Sequence, residues 1–496
     1  MKEEVLIIGA GPTGLAMAIG LEKQGVSFRI VDKKSAPGTA SRAMAVQARV
    51  LESYYQFGID QEIIQNGIII DQTNIIKDRE KIVSIPFGSI GGEISPYPYV
   101  LSIPQDVHER ILVKYLESKN ISIEWDTEVT NLIEEEDYVD VILNEGDAEE
   151  NQHFKYICGC DGAHSIVRKQ AKIDFPGDTY NERFFVADVE IEEDQNGMSV
   201  GFRKEAFCLA MNICHSSSVR LIGIIPKDFK GEEPETFHPI IPYAEKILPL
   251  KIRSVNWYSP YKIHCRVAEK FKSGRLFLLG DAGHIHSPAG GQGMNTGIMD
   301  AFNLSWKLAF VLKGKLNEDV LRTYEEERIA FAKSLVSTTD KVFQSVVKSK
   351  ILKNFIIPYI VPKLSKSKKL KTKLFKVISQ VKINYRDSIL SKGRVGKIKA
   401  GDRLPWIQKN NINNYDALKS VDWQIHVYGK NSKKLNRLSQ SFSIPVHYYK
   451  WSKVAKRKKV EKNSIFLVRP DGYIAVVITK KEIDVLKNYL NKLGLK

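Results

Sequence analysis

The sequence predicts an α/β protein: a Rossmann-like nucleotide-binding domain, a mainly antiparallel β-sheet domain inserted into it, and a smaller α/β domain at the C-terminal end. Three observations predict it. The first 35 residues read strand, glycine turn, helix, strand. Residues 180–265 hold strand-length apolar runs without helical periodicity. A buried strand pattern then returns at 276–279 and leads into long helical patterns, so the sheet interrupts a fold that resumes after it.

Taken in order, Val5–Ile8 is a short apolar strand, 9–14 a tight turn, 15–23 a helix ended by Gly25, and Phe28–Val31 a second buried strand closing on Asp32. Residues 105–119 have amphipathic helical spacing, and 121–125 and 139–143 read as strands. Phe184–Ile191, 206–213 and 219–225 are strands of the inserted sheet. Helices are expected over 294–312 and 317–345. A basic, partly amphipathic stretch follows over 346–385, with Pro358 and Pro362, and 393–402 reads as a linker. In the last part, strands are expected at 423–428, 465–468 and 474–478, the last two joined by a Pro470-Asp471-Gly472 turn. The expected division is 1–178 and 273–345 for the nucleotide-binding domain, 179–272 for the inserted sheet, 346–400 for the basic segment and linker, and 401–496 for the terminal domain.

A chain of 496 residues with 43% hydrophobic and 27% charged residues can bury a sizeable core. The N-terminus lacks the features of a secretory signal, and no run reaches the roughly 18 apolar residues of a membrane span. A cytoplasmic location is therefore expected. The five cysteines are few and odd in number, which fits a reducing compartment. Cys158 and Cys160 have no second cysteine or histidine cluster at ligand spacing, so they read as small core residues and no metal site is expected. Residues 341–400 hold 17 Lys/Arg against one acid, Asp387, a balance equal to the +16 of the whole chain. The charge is thus one local segment with no nucleic-acid-reading motif beside it. That segment reads first as a solvated helical face and second as a weak contact with an anionic membrane surface through 346–385.

Two glycine segments carry the chemistry. Gly9-Ala10-Gly11-Pro12-Thr13-Gly14 follows a strand, opens a helix, and is answered about twenty residues later by Asp32, with Lys33 beside it. Such glycines let the backbone approach a pyrophosphate at a helix N-terminus, and the aspartate suits a ribose hydroxyl. Far along the chain, a buried strand ends in Gly280-Asp281. It runs through Pro288, Gly290, Gly291, Gln292, Gly293, Met294 and Asn295 into a helix. A carboxylate at a strand end suits a sugar-like hydroxyl of an extended cofactor, and a helix N-terminus favours negative charge. A tight turn alone explains the first segment less well, and a helix cap alone needs fewer glycines than the second has.

With a central Cys160-Asp161-Gly162-Ala163-His164-Ser165 segment, these motifs resemble the three fingerprints of the group A flavoprotein monooxygenases, the FAD-dependent aromatic hydroxylases. The resemblance covers about residues 1–400. Residues 401–496 resemble the thioredoxin-like tail of the phenol-hydroxylase-like branch, although no cysteine follows Cys265, so dithiol chemistry is excluded there. The resemblance implies that Gly9, Gly11, Gly14 and Asp32 bind the ADP part of FAD, with Arg42 near the pyrophosphate and Gln105 at the flavin. It implies that Asp161 serves FAD and NAD(P)H, that Asp281 binds the ribitol, and that Pro288 and residues 290–295 run along the isoalloxazine ring.

The implied reaction takes a hydride from NADPH or NADH. It passes one oxygen atom of O₂, through a flavin C4a-hydroperoxide, to an aromatic or polycyclic phenol-like substrate. A single nucleotide fingerprint suits transient binding of the nicotinamide. Relatives in the phenol-hydroxylase branch carry an acid shortly before a Gln-x-Arg-Thr-Leu-Glu stretch. Here the stretch is Gln47-Ala-Arg49-Val-Leu-Glu52 and the matching position is Met44, which points to an apolar or larger substrate. Met44, Met211 and Pro288 are the substrate-side candidates, with Phe202 and His264 more remote ones. The chain is expected to act as a monomer or homodimer. Antibiotic or polyketide modification is the alternative within the same chemistry. A non-catalytic flavin-binding or membrane-surface protein is the alternative outside it. A flavin halogenase lacks its Trp-x-Trp-x-Ile-Pro segment here.

Overall fold

The computed structural model describes residues 4–38, 43–86, 91–193, 195–203, 206–213, 218–226, 229, 234–286, 291–349 and 352–495. Its centre is a five-stranded sheet. Val5–Ile8 pairs in parallel with Phe28–Val31 on one side and Tyr156–Gly159 on the other, and Tyr156–Gly159 pairs in parallel with Leu276–Leu278. Lys272–Ser273 adds a short antiparallel edge. All four residues of Val5–Ile8 are buried, as a strand covered on both faces requires. Helix Pro12–Lys23 lies against the long helix Gly293–Leu312. At their closest approach a Cβ on Gly20 would overlap the Ser305 side chain, so glycine sets the distance between the two helices.

The expected strand over 121–125 is reduced to one parallel bridge between Val31 and Glu124. Asp126 takes a left-handed conformation two residues later and turns the chain into strand Thr127–Glu134 before a ladder can form.

The second sheet has seven strands, in the order Ile252–Tyr261, Phe184–Ile191, Ser218–Ile224, Ala206–Asn212, Met198–Arg203, Gln72–Lys77 and Glu80–Pro86. The last two come from well upstream of residues 179–272. Gln72–Lys77 pairs in parallel with Met198–Arg203, the one parallel junction in an otherwise antiparallel sheet. The hairpin joining the two upstream strands turns at Asp78 and Arg79, both with positive φ. It uses no glycine, which is why the sequence does not announce it.

Residues 393–402 are not a free linker. Arg394–Val395 and Ile398–Lys399 form a small hairpin. Its flanks pair with the terminal sheet through Lys392 N–H to the Ala475 carbonyl, Val477 N–H to the Lys392 carbonyl and Gly401 N–H to the Ile474 carbonyl. The terminal domain is thioredoxin-like. Gln424–Tyr428, helix Lys433–Ser441 and Val446–Tyr449 make a parallel unit, and the antiparallel pair Ser464–Val468 and Ile474–Thr479 is followed by helix Ile483–Leu493.

A buried ionic cluster fastens this domain to the body. Glu327, on helix Arg322–Lys348, accepts from Arg469 Nη1 at 2.6 Å and Nη2 at 3.0 Å, from Lys307 Nζ at 2.9 Å, and from Asn303 and Ser388. Arg469 also pairs with Asp471, and Trp306 meets Trp423 edge to face at 5.6 Å. Burial would raise the Glu327 pKa, but Arg469 and Lys307 outweigh it and hold the carboxyl far below its ordinary range.

Candidate active site

Residues of the two sheets and the long helix line a cavity of about 1190 Å³. One end is the N-terminal glycine turn. Gly9 and Gly14 shape it by close packing: a Cβ on Gly14 would overlap the Gly9 carbonyl oxygen, and one on Gly9 would lie 2.5 Å from the Cys160 carbonyl oxygen. Gly11 instead has open space where a side chain would be, and with Pro12 and Thr13 it lines the cavity. Asp32 Oδ2 accepts from Ala10 N–H at 2.7 Å and Oδ1 from Lys34 N–H at 2.9 Å. The carboxylate therefore braces the turn as well as facing the cavity with Lys33, Lys34 and Glu128.

The middle of the cavity is made by the central and late segments. Asp161 Oδ2 accepts from Ile166 N–H at 2.7 Å, whereas Oδ1 is buried with no hydrogen-bond partner among the described residues. Burial raises its pKa. Arg168 ties the two segments together by donating to the Ala163 and Ala282 carbonyls, each at 2.8 Å. Asp281 lies deep in the molecule yet opens onto the cavity, and the protein mass around it raises its pKa. The backbone there is fixed by Asp300, which accepts from Gly280 N–H at 3.0 Å and from Arg328 Nε at 2.5 Å and pairs with His284 at 2.7 Å. Burial opposes ionisation of Asp300, but Arg328 and His284 prevail and depress its pKa.

Gly291, Gln292, Gly293 and Met294 line the cavity at the N-terminus of helix Gly293–Leu312. The first-turn N–H groups of such a helix have no acceptor within the helix, so the end carries partial positive charge. Gln105 also lines the cavity and donates to Glu109 at 2.8 Å.

The far end is apolar. Met44, Ile70, Val100 and Met211 form a buried cluster with Met198, Leu209 and Ile378 packed against it. Met44, Met198, Met211, Phe202, Phe207 and Leu209 line the cavity here, and His286 stands where this end meets the helix N-terminus.

Three expected contact residues do not line the cavity. Gly14 and Gly280 act by close approach; a Cβ on Gly280 would lie 2.6 Å from Thr13 Oγ1, locking the late segment to the first turn. Asn295 spends its side chain on backbone, donating to the Ala45 and Gly291 carbonyls and accepting from Gln47 N–H at 2.8 Å. Fully buried, it holds two loops together. His264 is exposed, paired with Thr179, and away from the cavity. Arg42, Pro288 and Gly290 lie outside the described residues.

The sequence reading missed His286, although it sits inside the late motif. It missed Thr73, Ile75 and Ile85, which arrive on the two unannounced upstream strands. It also missed Leu374 and Ile378, which the basic segment sends into the cavity wall.

The FAD binding domain family model matches residues 2–339. A flavin-dependent monooxygenase of Mycobacteroides abscessus is 29% identical over 490 residues, covering 95% of this chain and 96% of that one. A 6-methylpretetramide 4-monooxygenase of Streptomyces rimosus is 31% identical over 381 residues, covering 72% of this chain and 64% of the relative. Among solved structures, the anhydrotetracycline hydroxylase from Streptomyces rimosus superposes with a TM-score of 0.80 over all of both chains at 24% identity.

Proposed function

The chain belongs to the FAD binding domain family and is an FAD-dependent aromatic monooxygenase, and on that premise we propose how its cavity divides between cofactor and substrate. Gly11, Pro12, Thr13, Asp32 and Lys33 would hold the ADP part, with Gly9 and Gly14 shaping the turn. Asp161 and Asp281 would receive the hydroxyls and N–H groups along the middle. Gln105 and residues 291–294 would border the flavin ring, and Arg42, Pro288 and Gly290 are assigned to the same cofactor by the sequence motifs alone. The residues fit FAD on four counts: the volume of the cavity, the open face of Gly11, the buried Asp161 Oδ1 with no hydrogen-bond partner among the described residues, and the helix N-terminus at Gly293.

When bound and reduced by NAD(P)H, FAD activates O₂ so that one oxygen atom enters an aromatic ring and the other leaves as water. The chain's own work is positioning and exclusion of water. First-turn N–H groups of helix Gly293–Leu312 would stabilise negative charge on the reduced ring. Asn295 and Asp300 would keep that helix end and the Gly280-Asp281 turn in place. The apolar walls would keep solvent from the reacting atoms.

The substrate reading is a multi-ring, largely apolar phenol-like compound of the polyketide kind, seated among Met44, Met198, Met211 and Leu209. The methionine cluster carries it, because these unbranched, polarisable side chains accommodate broad flat rings. No carboxylate stands at position 44 to deprotonate a simple phenol. Two similar proteins of S. rimosus are named a 6-methylpretetramide monooxygenase and an anhydrotetracycline hydroxylase, which supports the reading. The proposed compartment is the cytoplasm, where reduced nicotinamide is supplied; none of the four described cysteines is in a disulfide. The proposed division of domains follows the sequence boundaries, with residues 72–86 added to the sheet and 392–400 to the terminal domain.

The test is to purify the chain, identify the released chromophore, and follow NAD(P)H oxidation and oxygenated product with one-ring and four-ring phenols. FAD release and product from the larger substrates are expected. A colourless protein after incubation with excess FAD, or a yellow one that oxidises no NAD(P)H with any aromatic, favours a non-catalytic protein instead.

A further inference from the structure

We propose that the face formed by residues 359–377 docks on an anionic lipid bilayer, placing the apolar end of the cavity against the membrane surface. The observation is that one helix belongs to both the cavity and an exposed apolar, basic patch. Helix Lys368–Ile378 sends Leu374 and Ile378 into the cavity wall and anchors itself by buried Phe375, packed on Gly91. On the same helix Leu370, Leu374 and Val377, spaced i, i+4 and i+7, form an exposed row. Tyr359, 65% exposed, with Ile360 and Leu364 extends it. Because Leu374 is both cavity wall and surface, the patch forms part of the rim of the apolar end.

The charge around the row is one-sided. No acidic residue occurs between Asp340 and Asp387. Lys366, Lys369 and Lys373 are exposed beside the row, and Lys458 and Lys459 from the terminal domain face Lys376. Glu93, which pairs with Lys368 at 3.4 Å, is the acid the neighbouring elements bring to this helix among the described residues.

This pattern matches a bilayer interface better than a nucleic acid. Phosphate binding needs the lysines but has no use for a leucine and valine row, whereas an interfacial helix uses both. The helix of 11 residues is about 16 Å long, too short to cross a hydrocarbon core, and no helix among the described residues is long and apolar enough to do so. The helix would lie in the headgroup plane with its row in the acyl boundary. An apolar substrate dissolved in lipid would then reach the cavity without crossing water. Docking stands by itself; only this delivery role rests on the hydroxylase reading.

The experiment is co-sedimentation of the full-length, FAD-loaded protein with phosphatidylcholine vesicles and with vesicles containing phosphatidylglycerol. Binding at least tenfold greater to the anionic vesicles is expected, and it should fall in high salt. The double variant Leu370→Glu/Val377→Glu should lose binding about tenfold. It should keep its FAD content and its NAD(P)H oxidation with a water-soluble aromatic. Hydrogen exchange on the wild-type chain gives a second readout, with protection by anionic vesicles confined to 359–378. Equal partition onto both vesicle types, protection elsewhere, or binding indifferent to the double variant would overturn the proposal. So would tight binding of duplex DNA with none to vesicles. Vesicle binding without any substrate turnover would retain the docking face and refute the hydroxylase reading.

Discussion

The two ends of the cavity are built on opposite plans. The glycine-turn end is mostly local: residues 9–14 and Asp32 lie in one strand–helix–strand unit, where Ala10 N–H donates to Asp32 and Gly9 N–H to the Val31 carbonyl. The methionine end is assembled from a distance. Met198 and Met211 come from two paired strands, and Met44 and Ile378 reach them by packing from distant stretches of the chain. The difference teaches where tolerance lies. A turn held by van der Waals contact between backbones admits no added atom. A pocket of flexible side chains can be resized and still close.

The comparison can be broken first at Gly14. Gly14→Ala forces a methyl onto the Gly9 carbonyl oxygen, so the turn must open. FAD content after purification should fall at least tenfold, with secondary structure by circular dichroism retained. Full flavin occupancy in this variant would show that the turn does not control cofactor binding.

A smaller effect is expected at the other end. Met211→Ala removes a buried side chain and should cost about 2–3 kcal/mol in denaturant unfolding. Flavin content should stay unchanged while KM for broad aromatic substrates shifts about tenfold. Loss of flavin here would erase the contrast between the ends.

The scaffold behind the glycine turn adds a pH dependence. His108, fully buried and 2.8 Å from the Tyr54 hydroxyl, has its pKa lowered by burial to about 4. Between the ordinary value of 6.5 and about 4, the unfolded chain binds a proton that the folded one refuses. Stability should therefore be complete above pH 6.5 and fall as pH drops, by up to about 3 kcal/mol. A His108→Asn variant should show a flatter decline over that window in thermal melts. The smallest effect belongs to Lys33, whose ion pair with Glu128 is exposed at 3.5 Å. Lys33→Ala should alter FAD affinity by no more than about threefold in a titration, within the range of a surface ion pair.

The same contrast decides what could be read from the sequence. The turn and the two parallel strands that flank it were legible because period, glycine spacing and strand ends fall within the first 35 residues, whereas Tyr156–Gly159, which pairs beside them, was not read. Three strands of the inserted sheet were legible from their apolar runs. Gln72–Lys77 and Glu80–Pro86 were not, since Asp78 and Arg79 turn the chain without a glycine and their partner lies more than a hundred residues away. For Asn295 the sequence shows a polar side chain at a helix entry and not the Ala45 and Gly291 carbonyls it meets. The segment at 393–402 looked like a linker because a two-residue strand has no periodicity to detect. Leu374 and Ile378 were hidden by the lysines around them.

The ion cluster at Glu327 makes the tail a counter-ion. A chain cut before Arg469 would strip Glu327 of its two guanidinium hydrogen bonds and leave Lys307 as its one remaining charged partner among the described residues, at the heart of the molecule. The last hundred residues are thus no detachable module. A tail grafted from a relative would need a guanidinium at that same spot before the oxygenase body would tolerate it.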